Sequence, residues 1–298
     1  MGLDRVHVPD DGLRMVRSWD VASDLPPFDV RPLMTAERDE LLVLLRELGA
    51  REWRAGTACA GWSVHDIALH LLGNDFGRLR PLSQAARAGA EDFDELAATI
   101  ERANETWVTV ARTAISASIV PDLLALTGSR VDAAFASADL QAPGVAVRWT
   151  GSGPTPRWLD IAREYTERWV HHAQISEAVG RPVLLGRRWL HPVLSAFVRA
   201  LPLAYEDIAS PAGTTIAFVV TGDAGDRWWI ERGPDRWRLV AARPSPADAT
   251  VELPADSAWR LMTRLGDVSA NRAGVVITGS RALGQAALGA VAVMTTRS

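Results

Sequence analysis

Glu167 and His171 stand four residues apart in the run Arg163-Glu-Tyr-Thr-Glu167-Arg-Trp-Val-His171-His172-Ala-Gln174. In a helix that spacing puts both side chains on one face, with Cβ atoms about 5–6 Å apart. Arg163 lies one turn earlier on that face and Gln174 one turn later. A carboxylate and an imidazole presented together suit a divalent metal such as zinc, which takes nitrogen and oxygen ligands at about 2.0–2.2 Å. Two ligands do not make a site, so another part of the chain must supply a third.

The chain has six histidines. His7 falls in an extended N-terminal arm, and His191 precedes a proline outside the helical half. His65 and His172 lie on other faces of their helices. His70 remains, on a second amphipathic helix. Bundles build metal sites from inward-facing residues on neighbouring helices, so His70, Glu167 and His171 form the candidate set. Three protein ligands with a fourth place open describe a catalytic zinc site rather than a structural one. A structural reading competes with this one. Glu-x-x-x-His pairs also occur as surface ion pairs, and a histidine in an apolar helix is often a hydrogen-bonded core residue.

The elements that must position these residues follow from periodicity. Residues 35–48 carry Leu41, Leu42, Leu44, Leu45 and Leu48 between charges, and Gly49 follows, an amphipathic helix with a glycine stop. Ser63-Val-His-Asp66 is a capping-box arrangement that opens the helix bearing His70. Asp66 is read as cap and dipole partner, with orientation of His70 as its lesser role. Helical patterns recur over 93–117 and 121–136. Residues 145–149 alternate like a short strand. The helix bearing Glu167 and His171 runs from near Pro156 to near Gly180, with Pro182 beyond it.

After Pro182 the pattern changes. A helix is expected over 189–207, then strands over 214–221, 227–231, 236–242 and 250–253, with turn clusters at 222–225 and 233–235. Helices over 255–265 and 280–294 flank a strand at 275–278. The fold class is therefore a two-domain α+β protein. It comprises an arm at 1–30, a helical bundle of four main helices at 31–185, and a small α+β domain at 186–298.

Composition narrows the function classes. The net charge is -4 and the basic residues, all arginine, are scattered, which argues against a nucleic-acid partner or an anionic membrane surface. Cys59 is the one cysteine, so a disulfide framework is excluded and a reducing cytoplasm is the simple reading. The first twenty residues are polar, and no run reaches the ~20 apolar residues a bilayer needs. Richness in Ala, Gly, Val and Arg fits a GC-rich bacterial source.

Three segments carry a resemblance to a known family. The first is Cys59-Ala60-Gly61-Trp62-Ser63-Val64-His65-Asp66, with His70 following. The second is Arg163, Glu167 and His171, then Ala178-Val179-Gly180-Arg181-Pro182. The third is Ala247-Asp-Ala-Thr-Val251, Ala258-Trp259-Arg260-Leu261 and Val275-Val-Ile-Thr-Gly279. Together they resemble the mycothiol-dependent maleylpyruvate isomerase family, over most of residues 31–298. The resemblance implies a DinB-like metal-binding bundle and a sterol-carrier-like C-terminal domain. It places the zinc ligands on His70, Glu167 and His171, the three already chosen on chemical grounds. It implies mycothiol as thiol cosubstrate and a small-molecule substrate. The expected activity is cis-trans isomerisation or thiol S-transfer, two outcomes these residues fit equally.

The chain departs from the family in two places. Ala60 stands where the family often has proline. Gln174 stands where it usually has aspartate; a glutamine can hydrogen-bond a ligand but supplies no charge. Arg163 and Gln174 are the candidate catalytic residues beside the metal. The resemblance also implies a C-terminal arginine at the substrate, with Arg260, Arg264 and Arg272 as the available positions. Cys59 is read as structural, since it sits in a loop with no paired base in view, and Trp62 and Trp169 as core residues. A non-catalytic, metal-stabilised binding protein for an apolar molecule or a partner is the competing function.

Overall fold

The computed structural model describes residues 22–79, 93–151, 155–241, 246–266, 271–272 and 274–292, with side chains of 93–101 left aside. The expected arm at 1–21, including His7, lies outside the described residues. The helical half is built from α1 (Arg31–Glu47), α2 (Val64–Leu79), α3 (Phe93–Ala114), α4 (Val120–Ala136) and α5 (Arg157–Ala178). Helices α1, α2, α4 and α5 pack against one another as a four-helix bundle, and α3 lies along α2.

Local chemistry sets the ends of the two helices that matter most. At the start of α2, the Ser63 N–H donates to Asp66 Oδ2 (2.9 Å) and the Asp66 N–H donates to Ser63 Oγ (3.4 Å). This reciprocal pairing satisfies donors that the first turn of a helix leaves free. Asp66 therefore serves as a cap, as its spacing predicts, and its other oxygen accepts from Arg112 of α3 (2.6 Å). Helix α5 ends where Gly180 turns to φ +66, and the Arg181 N–H reaches back to Ser176 O (2.8 Å). A left-handed residue at that place costs least as glycine.

One apolar cluster fills the space between α1, α2 and α4, with Leu41, Leu45, Ile67, Leu71, Leu72 and Leu124 inside. A second runs from α5 through α6 (Arg187–Phe197) and α7 (Leu201–Ala204) to the sheet. The sheet comprises β1 (Thr215–Thr221), β2 (Asp226–Arg232), β3 (Trp237–Val240), β4 (Ala249–Pro254) and β5 (Val276–Gly279), in the order β3-β2-β1-β4-β5. Every pairing is antiparallel except β1 with β4. Helices α8 (Ala255–Met262) and α9 (Arg281–Ala287) complete the α+β half. Trp169 of α5 meets Trp259 of α8 edge to face at 5.2 Å, joining the two halves through buried aromatic surface. The chain before α1 adds to the free edge of β3, where Leu239 bonds with Ala22 and Asp24.

Three expectations differ from the structure. Residues 145–149 form no strand. Val147 and Trp149 are buried in alternation, but the backbone is captured locally. The Val145 N–H donates to Asp160 Oδ2 (3.1 Å), and the Thr150 N–H closes a 3-10 turn onto Val147 O (3.0 Å). The expected helix at 189–207 is instead α6, a 3-10 turn and α7, with Pro202 opening α7. The terminal helix is shorter than 280–294: α9 stops at Ala287, and residues 293–294 lie outside the described part.

Candidate metal centre

Helices α2 and α5 face each other, and their inward stripes carry the proposed ligands. His70 Nε2 lies 3.1 Å from Glu167 Oε1, and His171 Nε2 lies 3.3 Å from the same oxygen. The three donor atoms all lie within 4.8 Å of one another. Ligands at zinc distances around a tetrahedral ion stand roughly 3.3–3.6 Å apart, close to the two separations from Glu167 Oε1. The two imidazoles meet edge to face, with ring centroids 4.8 Å apart. His70 and His171 are buried, while the Glu167 side chain is 26% exposed, so the cluster opens to solvent on the carboxylate side.

The donor set fits a divalent cation. Two neutral imidazole nitrogens and a carboxylate oxygen are ordinary zinc ligands. His70 Nδ1 has no hydrogen-bond partner, with or without an ion on Nε2. On His171 the second nitrogen is held. Its Nδ1 lies 2.7 Å from Gln174 Oε1, an acceptor only, so Nδ1 carries a proton and Nε2 is the nitrogen left to bind an ion. Second partners of this kind fix the tautomer and ring orientation of metal-ligating histidines.

Three charged groups compete for protons here. Burial would lower the His171 imidazole, but hydrogen bonds with Cys59 and Glu167 outweigh it and push its pKa up to about 10. Burial acts the other way on Glu167, and hydrogen bonds from both imidazoles override it, holding the carboxyl well below its usual range. Burial holds His70 below the ordinary imidazole range. One carboxylate thus keeps one of its two imidazoles charged and leaves the other neutral.

Of the sequence-predicted site residues, the structure brings together His70, Glu167, His171 and Gln174. Arg163 is not joined to the three donors by any hydrogen bond or ion pair among the described residues. Its guanidinium pairs with Glu164 (3.2 Å) and Asp160 (3.6 Å), and its Nε has no partner. It belongs to a buried ionic array one to two turns from the cluster. There Arg78 of α2 bridges Asp160 and Glu164, and Arg168 binds Asp75, which also accepts from Thr127. His172 faces away from the cluster, paired with Glu37 of α1 (2.8 Å).

Sequence reasoning missed the surroundings of Cys59. A hairpin closes with the Gly56–Ser63 bridge and turns at Gly61 (φ +79). It brings the Cys59 thiol to 3.3 Å from Gln174 Oε1 and within hydrogen-bonding reach of His171. The reading of Cys59 as remote from any base is therefore corrected: the base stands 112 positions on in sequence and was invisible at short range. The same hairpin lays the half-buried Trp62 against His70 (5.2 Å between centroids), so Trp62 walls the site, whereas Trp169 is a core residue. Asn74, one turn beyond His70, was also passed over. Of the C-terminal arginines, Arg260 ties α8 to Glu177 at the end of α5. Arg272 lines a cleft of about 610 Å³ with Arg281, and neither reaches the donors.

Residues 34–176 match the family model described as the mycothiol maleylpyruvate isomerase N-terminal domain, a segment just short of half the chain that contains all three donors. This segment is similar to that domain family. The match covers nearly all of α1 through α5, and the sheet lies beyond it. Among solved structures, a crystal structure of the mycothiol-dependent maleylpyruvate isomerase has a similar fold. Its TM-score is 0.50 and its identity 14%, over 86% of this chain and 94% of that one. A point mutant of that enzyme gives 0.48 and 14% with the same coverage. No curated protein sequence matches. Among the described residues no single helix is long and apolar enough to cross a membrane.

Proposed function

We propose that the chain is a zinc-dependent enzyme that uses mycothiol, acting either as a cis-trans isomerase of the maleylpyruvate type or as a thiol S-transferase. The observation that carries this is the convergence of His70 on Glu167 and His171 from a helix 97 residues away, inside a domain family named for mycothiol. His70, Glu167 and His171 would hold the ion, which when bound keeps a coordinated thiol deprotonated and nucleophilic near neutral pH.

The protein's own groups do the rest. Gln174 positions His171 by accepting its Nδ1 proton, so that Nε2 stays free. Trp62 and the Cys59 hairpin cover one side of His70 and limit water. Glu167 stands at the mouth, where a cosubstrate can enter. Arg163 is assigned the anionic end of the substrate, as the arginine one turn before Glu167 on α5. The arm at 1–30, the metal-binding bundle at 31–185 and the α+β domain at 186–298 are retained as the units of this reading.

Thermal melting of the zinc-loaded protein with mycothiol tests thiol use. Stabilisation should grow with concentration by mass action; no shift at saturating mycothiol would remove that thiol from the account. Mass analysis of the product then separates the two reactions, since sulfur stays on the product of an S-transferase and leaves that of an isomerase.

A further inference from the structure

Asn74 lies on the same stripe of α2 as His70, one turn on, and is half-buried. Its Nδ2 stands 3.2 Å from His70 Nε2, the one polar side-chain contact Asn74 makes among the described residues. His70 Nε2 is also the atom that faces Glu167 Oε1 at 3.1 Å. The carboxamide is therefore packed beside the place where the three donors converge.

An imidazole nitrogen offers one in-plane lone pair. Without metal that nitrogen bears the hydrogen that Glu167 Oε1 accepts, and with metal it binds the cation, so in neither state does it accept from the Asn74 amide. A carboxamide carries two N–H donors, and a half-buried donor without a partner is costly. The acceptor left within its reach is the anionic group that completes the ion's shell. Arg78, the next residue on the stripe, cannot take this part, because Asp160 and Glu164 already engage it (2.9 and 2.8 Å). Trp62 lies against His70 and offers its indole N–H as the nearby alternative donor, though no bond joins it to the donor cluster.

We propose that Asn74 is a further ligand-binding residue of this centre, donating a hydrogen bond from its carboxamide to the thiolate in the fourth position. This rests on the metal reading above. It adds that the thiolate is held by an uncharged donor from α2, so that the site recognises a soft anion without a second cation next to the metal.

Cobalt(II)-substituted protein supplies the test, with β-mercaptoethanol as the thiol probe and the sulfur-to-cobalt charge-transfer band as the readout. Cobalt binding to Asn74→Ala should match wild type, while the thiol should bind roughly ten- to a hundred-fold more weakly, the effect of losing one hydrogen bond to a charged group. Asn74→Asp keeps the shape but replaces the donor with a negative charge, so it should bind the thiol more weakly than Asn74→Ala. Unchanged thiol affinity in both variants, with cobalt still bound, overturns the role of Asn74 and leaves the metal centre standing. Loss of cobalt itself in Asn74→Ala also overturns it, because Asn74 would then serve the ion rather than its ligand. If wild-type protein takes up no cobalt at a site abolished by His70→Ala, the metal reading fails and this proposal goes with it.

Discussion

Gln174 offers the sharpest perturbation of the centre that leaves its three donors in place. It is buried, 4% exposed, and its Oε1 accepts from His171 Nδ1 at 2.7 Å and from the Cys59 thiol at 3.3 Å. Replacing it with leucine keeps the volume and removes the acceptor. With an ion on His171 Nε2, the Nδ1 proton is obligatory and would be left buried and unpaired, a cost of about 1–3 kcal/mol. Loss of such supporting partners weakens metal binding roughly 10–100-fold, about 1.4–2.7 kcal/mol. The two ranges agree, so Gln174→Leu should raise the zinc dissociation constant by one to two decades. Gln174→Glu keeps an acceptor and adds charge that makes the imidazole a stronger ligand, and should bind zinc at least as well as wild type. Competition against a chromogenic chelator measures all three, with melting in excess chelator reporting the fold separately. A Gln174→Leu dissociation constant within about twofold of wild type, less than half a kcal/mol, would refute the tautomer argument.

Two further outcomes follow from the charges. Because the metal-free His171 holds its proton up to about pH 10, an ion binding near neutral pH must displace it. Zinc affinity should therefore rise with pH, with about one proton released per ion; calorimetry in buffers of different ionisation heat reads this directly, and zero release contradicts it. Without metal the same raised pKa stabilises the fold below the unfolded imidazole value of 6.5 and ceases to do so as pH climbs through about 10. Glu167, held low, stabilises above the ordinary carboxyl value of 4.5, and this contribution is lost as acid protonates it. Asp75 is fully buried between Arg168 and Thr127. Asp75→Ala should cost about 3–5 kcal/mol and lower the melting temperature by roughly 6–20 °C. Adding Arg168→Met should recover much of that loss, and a single-mutant melt within about 2 °C of wild type would mean the pair is screened.

Much of this arrangement was legible in the chain because it repeats at helical spacing. The four-residue step from Glu167 to His171 is a local signal, and the Ser63–Asp66 cap fixed where α2 begins and so which way His70 points. The β-strands announced themselves through alternation and the glycine turns at 222–225 and 233–235. What could not be read were contacts made across long separations between residues that look ordinary. Nothing in the spacing of Arg78, Glu164, Asp160 and Arg168 singles them out, and only the packing of α2 on α5 shows them paired and buried. Cys59 and Asn74 belong to the site because a hairpin and one further helical turn carry them there. Residues 145–149 misled for the opposite reason. Their burial alternates as a strand's does, but Asp160 takes the backbone donor that a neighbouring strand would need.

The central claim is that two helices distant in sequence hold one ion between them. Metal analysis of purified protein beside His70→Ala tests it most directly. The account predicts about one zinc per wild-type chain, and a folded, metal-free His70→Ala variant. Wild-type protein that carries no metal after incubation with zinc, or a His70→Ala variant that keeps a full equivalent, would contradict it.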